Sequence, residues 1–146
     1  MITVQITEIS RGGREYKFQL SKEYDLVQRR SYYRLPDPQI QVQCQIYGET
    51  TDDVTVTDVS GGGVGLAIRW SRPIKEDTPV GLEITLPEGT NIHSNGKATR
   101  VVQMKDAGGY QMGVSFTKIE RGDRARIIKY IFDEQLLRNK ELGLEL

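Results

Sequence analysis

The chain has 146 residues, which suits a single domain with at most a small appendage. Hydrophobic residues make up 37% of it and charged residues 27%, so a packed core is expected and wholesale disorder is disfavoured. The 20 basic residues balance the 20 acidic ones, which argues against a general nucleic-acid binder, because such proteins carry a basic excess. No apolar stretch is long enough to span a bilayer and no signal peptide opens the chain, so we expect a cytoplasmic protein without membrane insertion.

The first element along the chain is a predicted β-hairpin. Apolar residues alternate with polar ones over residues 2–6 and again over 16–20, and a turn-forming stretch at 10–14 separates the two runs. We assign residues 1–27 to this N-terminal segment and residues 28–146 to the main domain. Residues 21–38 have no period and are rich in charge, which predicts a linker between the two parts.

Three arginines lie close together where the main domain begins. Arg29, Arg30 and Arg34 occur just before Pro36 in a segment without periodicity, which favours a loop that can wrap a ligand. A guanidinium fork matches O6 and N7 of guanine with two hydrogen bonds, and its flat face stacks on purines, whereas lysine does neither. The alternative interpretation is a solvated basic linker.

The main domain continues as short β-strands. Six segments are rich in strand formers and are bounded by Gly, Pro, Asn or Asp. They span residues 40–47, 54–59, 64–68, 80–86, 98–104 and 110–116. This spacing predicts an all-β fold, a small six-stranded antiparallel β-barrel, which would leave few exposed edges.

The single cysteine and the single histidine offer little chemistry. Cys44 alternates with apolar neighbours, which predicts a buried structural thiol, and one cysteine excludes an intramolecular disulfide. His93 lies among asparagine, serine and glycine, a composition typical of an exposed turn. We therefore expect no metal site and no cofactor.

A second polar motif follows the second predicted strand. Asp58 and Ser60 flank Val59, so both should point outward on one face of the sheet if Val59 points inward. Aspartate accepts hydrogen bonds from guanine N1–H and N2–H₂ or orients an arginine, and a serine hydroxyl contacts phosphate or base. The glycines at 61–63, ending at Gly63, predict a turn with positive φ that a bulky ligand can approach closely. The alternative is a plain tight turn capped by Asp58 and Ser60.

The last predicted element is a C-terminal helix. Apolar residues recur at three- and four-residue spacings, which predicts an amphipathic helix over residues 123–140. The sequence from Thr117 to Glu120 has the S/T-x-x-E form of a capping box and predicts a helix start nearby. Lys97 and Arg100 lie on an earlier predicted strand, and spacing alone does not decide whether they face a phosphate.

The two polar motifs resemble the signatures of the PilZ family, bacterial receptors for cyclic di-GMP. Arg30 and Arg34 have the R-x-x-x-R spacing, and Asp58, Ser60 and Gly63 have the D-x-S-x-x-G spacing. The resemblance covers residues 28–116 with the helix beyond, and it implies a six-stranded β-barrel ending in a helix. It also implies that these residues bind cyclic di-GMP.

The resemblance implies further properties of the ligand and of the output. In the family, an arginine at the position of Arg29 goes with an intercalated dimer of cyclic di-GMP, so two nucleotides per chain are expected. Residues 1–27 resemble the end of the N-terminal domain in flagellar-brake PilZ proteins of the YcgR type. A receptor of this kind would order its arginine loop on binding and signal to a protein partner that controls motility or biofilm and exopolysaccharide output.

Other functions are weighed against this one. The main alternative is a PilZ-like module that binds no nucleotide and acts through protein contacts. An enzyme is not expected, because Asp58 and Ser60 lack a nearby histidine, a G-x-S-x-G elbow or a paired carboxylate. Binding of single-stranded RNA, or of any nucleic-acid polymer, is disfavoured by the zero net charge.

Overall fold

The structure is a computed structural model that describes residues 32–105 and 108–143. The predicted N-terminal hairpin, together with Arg29 and Arg30, lies outside the described residues. The chain divides into two compact units, Met1–Tyr33 and Arg34–Leu146, and every described residue beyond Tyr33 belongs to the second. The predicted domain boundary at residue 28 stays a prediction.

The described part consists of one antiparallel sheet and one helix. The elements are β1 (Leu35–Pro36), β2 (Gln41–Ile46), β3 (Glu49–Thr51), β4 (Val54–Ser60), β5 (Gly63–Arg69), β6 (Pro79–Thr85), β7 (Asn91–Met104), β8 (Gly109–Ile119) and α1 (Arg121–Glu141). The strands are hydrogen-bonded in the order β1-β4-β5-β8-β7-β6-β2-β3 and form a half-barrel. The prediction of a mostly β fold with a C-terminal helix is confirmed.

The predicted number of six strands is wrong, because the described part contains eight. The two additional strands, β1 and β3, have only two and three residues, which is too short to produce a visible period. Strand β7 also begins seven residues earlier than expected, at Asn91. Its first buried positions include Ser94 and Gly96, so apolar alternation is missing there. His93 therefore lies exposed on a strand, and the predicted turn is wrong.

The core lies on the inner face of the sheet. In β2 the inward side chains of Val42, Cys44 and Ile46 are buried, while the residues between them are exposed. The Cys44 side chain has no exposed surface, and burial raises the pKa of its thiol to about 12. The predicted buried structural thiol is thus confirmed.

Helix α1 packs onto the core and holds the last residue of β1 and the residue after it. The observed bounds agree with the predicted helix, and Ile127 and Ile131 are its buried residues. The Nη1 and Nη2 atoms of Arg138 donate to the carbonyl oxygens of Pro36 and Asp37, at 2.7 and 2.8 Å. No helix in the described ranges is both long and apolar enough to cross a membrane.

The predicted capping box does not form. Strand β8 continues to Ile119 and therefore includes Thr117, so that residue cannot cap the helix. Glu120 is the N-cap residue, has an extended backbone and makes no side-chain capping bond. Sequence spacing suggested the box, but the pairing of Lys118 with Asn95 of β7 keeps this stretch in the sheet.

Candidate functional site

The short strand β1 brings the two polar motifs together. Leu35 pairs with Val59 and Pro36 with Asp58, and Leu35 is buried in the core, which anchors the strand. The residue before this strand, Arg34, consequently lies beside Asp58, with Nη1 3.3 Å from Oδ1. A pair of motifs separated by 24 residues thus meets at one edge of the sheet.

The Arg34–Asp58 pair is open to solvent. The arginine side chain is 70% exposed and the aspartate 29%. The second carboxylate oxygen of Asp58 accepts a hydrogen bond from the Thr57 hydroxyl at 3.2 Å. An ion pair this exposed contributes at most about 1 kcal/mol, so a ligand can exchange for either partner at small cost.

Ser60 is placed differently from the prediction. It is buried, and its hydroxyl oxygen accepts a hydrogen bond from the Gly62 amide at 3.0 Å. The side chain therefore caps the turn between β4 and β5, whereas an exposed position beside Asp58 was expected. The hydroxyl proton is still a donor that a phosphate or a base could use.

The glycines of the second motif have another role than the predicted one. Among the described residues the glycines with positive φ are Gly48, Gly89, Gly108 and Gly143, so the predicted positive-φ turn at 61–63 is wrong. Gly63 is needed for space instead, because an added Cβ would lie 2.1 Å from the Val114 carbonyl oxygen of β8.

Two more glycines, which the sequence interpretation did not assign to the site, continue the row that starts at Asp58. Gly65 of β5 pairs with Asp58 on one side and with Gly113 of β8 on the other. A Cβ added at Gly65 would lie 2.7 Å from Asp58 Oδ2 and 2.6 Å from Thr57 Oγ1. We call Gly65 and Gly113 the glycine floor. The signal in the sequence was the alternation of Gly63 and Gly65, which leaves consecutive outward positions of one strand without side chains.

Helix α1 stabilises both halves of the candidate site. Near its start, Arg124 Nη1 donates to the Gly61 carbonyl oxygen at 2.8 Å and so fixes the β4–β5 turn. Near its end, Arg138 holds Pro36, the residue paired with Asp58. The helix thereby limits how far the two motifs can separate.

Arg29 and Arg30 lie outside the described residues, so their part in the site stays a prediction. Within residues 32–105 and 108–143 no cluster of three histidine, cysteine or acidic side chains could hold a metal ion.

Comparison with known proteins agrees with this geometry. The family model of the PilZ domain matches residues 28–133, more than half of the chain. The chain belongs to the PilZ domain family. PilZ domains are not typically enzymes. A search of curated proteins found no match.

Several solved structures share the PilZ fold. The Bacillus subtilis inhibitor of motility (MotI/DgrA) is 23% identical, with a TM-score of 0.64, over 74% of this chain and 51% of that one. The PilZ domain of Escherichia coli YcgR with c-di-GMP is 15% identical, with a TM-score of 0.61, over 79% of this chain and 98% of that one. The K. pneumonia MrkH–c-di-GMP complex is 20% identical, with a TM-score of 0.60, over 76% and 54%. This PilZ domain thus spans about half the length of the Bacillus and Klebsiella proteins, and at these identities the likeness shows the fold.

Proposed function

We propose that this PilZ domain is a receptor for cyclic di-GMP. The observation that carries the proposal is the exposed Arg34–Asp58 pair, 3.3 Å apart, at the border of the glycine floor. The ligand-binding residues are then Arg29, Arg30, Arg34, Asp58, Ser60 and Gly63. The YcgR PilZ domain and the MrkH complex both hold c-di-GMP, which supports the same ligand class here.

The chemistry of the pair suits a guanine base. The Asp58 carboxylate accepts from guanine N1–H and N2–H₂, while the Arg34 fork donates to O6 and N7 or to a phosphate. These are different edges of the base, so the acid and the arginine can bind one nucleotide together. Gly65 is buried under Thr57 and Asp58, whereas Gly113 is partly exposed and, having no side chain, lets a flat purine approach the backbone of β8.

The remaining arginines extend the site toward a second nucleotide. We assign Arg29 and Arg30 to an arginine loop that becomes ordered when the ligand phosphates offset the repulsion among the guanidinium groups. Arg34 needs no such ordering, since β1 already holds it next to Asp58. A third guanidinium provides a partner for a second cyclic di-GMP, so the bound species is an intercalated dimer.

The bound receptor then signals to a protein partner, and motility is the favoured output over exopolysaccharide production. The fold shared with the Bacillus subtilis inhibitor of motility supports this choice. Helix α1 offers a route for the signal, because Arg124 and Arg138 contact both halves of the site. The alternative is a PilZ-like module that binds no nucleotide, and a flat titration with cyclic di-GMP would favour it.

Isothermal titration calorimetry with cyclic di-GMP tests the proposal. The chain contains a matched control, the Arg69–Asp53 pair, which is also exposed and is 3.2 Å apart at the opposite end of β5. We expect Arg34→Ala and Asp58→Ala to weaken binding by at least about tenfold, as loss of a charged hydrogen-bond partner does. Arg69→Ala should bind like the wild type.

The stoichiometry tests the finer claim. A stoichiometry of two nucleotides per chain agrees with the intercalated dimer. A stoichiometry of one nucleotide per chain contradicts the dimer but leaves the receptor proposal intact. No heat and no binding by a second method, such as equilibrium dialysis, would refute the receptor itself.

A further inference from the structure

The sheet register places one more arginine in line with the proposed site. Asp58 pairs with Gly65, Gly65 with Gly113, and Gly113 with Arg100 of β7. Residues directly opposite each other in antiparallel strands point to the same face of the sheet. Three steps between neighbouring strands separate Asp58 and Arg100, which puts their Cα atoms about 14 Å apart along the sheet.

The surface between these two residues carries no side chains from β5 or β8 in that row. Both intervening positions are glycines, and the neighbouring side chains lean over them from either end. Asp58 lies over Gly65, as described above, and the Thr99 hydroxyl donates to the Gly113 carbonyl oxygen at 3.2 Å. The glycine floor is therefore bordered by an acidic wall at Asp58 and by a second wall at Thr99 and Arg100.

The Arg100 guanidinium has no ion-pair partner among the described residues. The residue is exposed. Its neighbour Lys97, by contrast, is 3.6 Å from Asp77, and Arg34 is paired with Asp58. Within the described part of the chain, Arg100 is thus a cation without a paired carboxylate, in the same row of the sheet as Asp58.

We infer that Arg100 binds a phosphate of the cyclic dinucleotide in the same site, an inference that rests on the proposed function. The N1–H and N2–H₂ edge of guanine lies at the end of the purine away from its glycosidic bond. A base that offers this edge to Asp58 therefore directs its sugar and phosphate across the glycine floor toward β7. A phosphodiester requires a cation there, and Arg100 supplies it.

Calorimetry on Arg100→Gln and Arg100→Lys tests this assignment, with Arg69→Gln as the control that removes one arginine from the far end of β5. We expect Arg100→Gln to weaken cyclic di-GMP binding by about tenfold at low salt, because it removes one charge-assisted hydrogen bond. Arg100→Lys keeps the charge and should retain most of the affinity. If Arg100 instead made a two-pronged contact with a guanine base, lysine could not replace it. The difference in cyclic di-GMP affinity between the wild type and Arg100→Gln should shrink at high salt, as expected for an exposed charge interaction.

The outcomes separate this inference from the receptor proposal. If the wild type binds and Arg34→Ala does not, but Arg100→Gln matches Arg69→Gln, the role of Arg100 is refuted and the receptor stands. A loss in Arg100→Lys as large as in Arg100→Gln refutes the phosphate contact. Absence of binding by the wild type removes both proposals. Equal thermal midpoints of the variants would show that lost affinity is not lost folding.

Discussion

The half of the sheet that contains β2 and the half that contains β5 are alike on the inner face and differ on the outer face. On the inner face, β2 and β5 both alternate buried apolar residues: Val42, Cys44 and Ile46 in β2, and Val64, Leu66 and Ile68 in β5. On the outer face, β2 presents three exposed glutamines: Gln41, Gln43 and Gln45. Strand β5 has Gly63 and Gly65 at the corresponding outward positions, and both are buried.

This difference separates the requirements of folding from those of the site. The hydrophobic core requires apolar side chains on the inner face only. On the solvated outer face, any polar side chain is compatible with folding. Glycine inside a strand weakens it, because it adds conformational entropy to the unfolded chain and packs nothing. Two outward glycines in β5 therefore have a specific cause: Gly63 leaves space for the neighbouring strand, and Gly65 leaves space for the Thr57 and Asp58 side chains.

The largest expected effect comes from Gly63→Ala. The added methyl group would lie 2.1 Å from the Val114 carbonyl oxygen, and two backbone strands cannot both shift cheaply. We expect a loss of about 3 kcal/mol in the free energy of unfolding, at the upper end of overpacking costs. Urea denaturation followed by circular dichroism measures it. An unchanged midpoint would show that Gly63 is not required for strand packing.

The inner face explains how much of the fold could be predicted. Alternation of large apolar residues gave the six longer strands, and the spacing of Ile127 and Ile131 agrees with the observed helix. Strand β1 was missed because two residues carry no period, and its place depends on one buried side chain, Leu35, together with a partner 24 residues away. The capping box failed because pairing between β7 and β8 outweighed a local pattern.

Gly65→Ala should act on the site more than on the fold. Its added methyl group would meet Thr57 Oγ1 and Asp58 Oδ2, which are ends of side chains and can move. We expect the free energy of unfolding to change by less than about 1 kcal/mol. Cyclic di-GMP affinity should fall about tenfold, since Asp58 is displaced. Calorimetry and urea denaturation measure the two effects separately.

A double-mutant cycle sharpens this expectation. If Gly65→Ala acts by moving Asp58, its effect on affinity should largely disappear in the Asp58→Ala background. Additive losses would mean that Gly65 contacts the ligand independently, as part of the glycine floor. A Gly65→Ala protein with unaltered affinity would contradict both mechanisms.

The site was less predictable than the fold. The residue types and spacing of Arg34 and Asp58 singled out two residues that the structure brings to within 3.3 Å of each other, because charged side chains at fixed positions are visible in the sequence. Gly113 and Arg100 were not assigned, since their relation to Asp58 depends on sheet order, which places β8 beside β5 and β7 beside β8. A sequence shows which residues lack side chains, but only register shows that they are adjacent.

The smallest expected effect belongs to Gln43→Ala, on the outer face of β2. Gln43 is exposed and pairs with Glu83 of β6, on the opposite half of the sheet from Asp58. Removing its amide leaves the core intact and no buried polar group unsatisfied. We therefore expect a change below about 0.5 kcal/mol in unfolding and no change in cyclic di-GMP affinity by the same calorimetry. If Gln43→Ala weakened binding as much as Gly65→Ala, the outer face of β2 would also belong to the site, and the contrast between the two halves would be wrong.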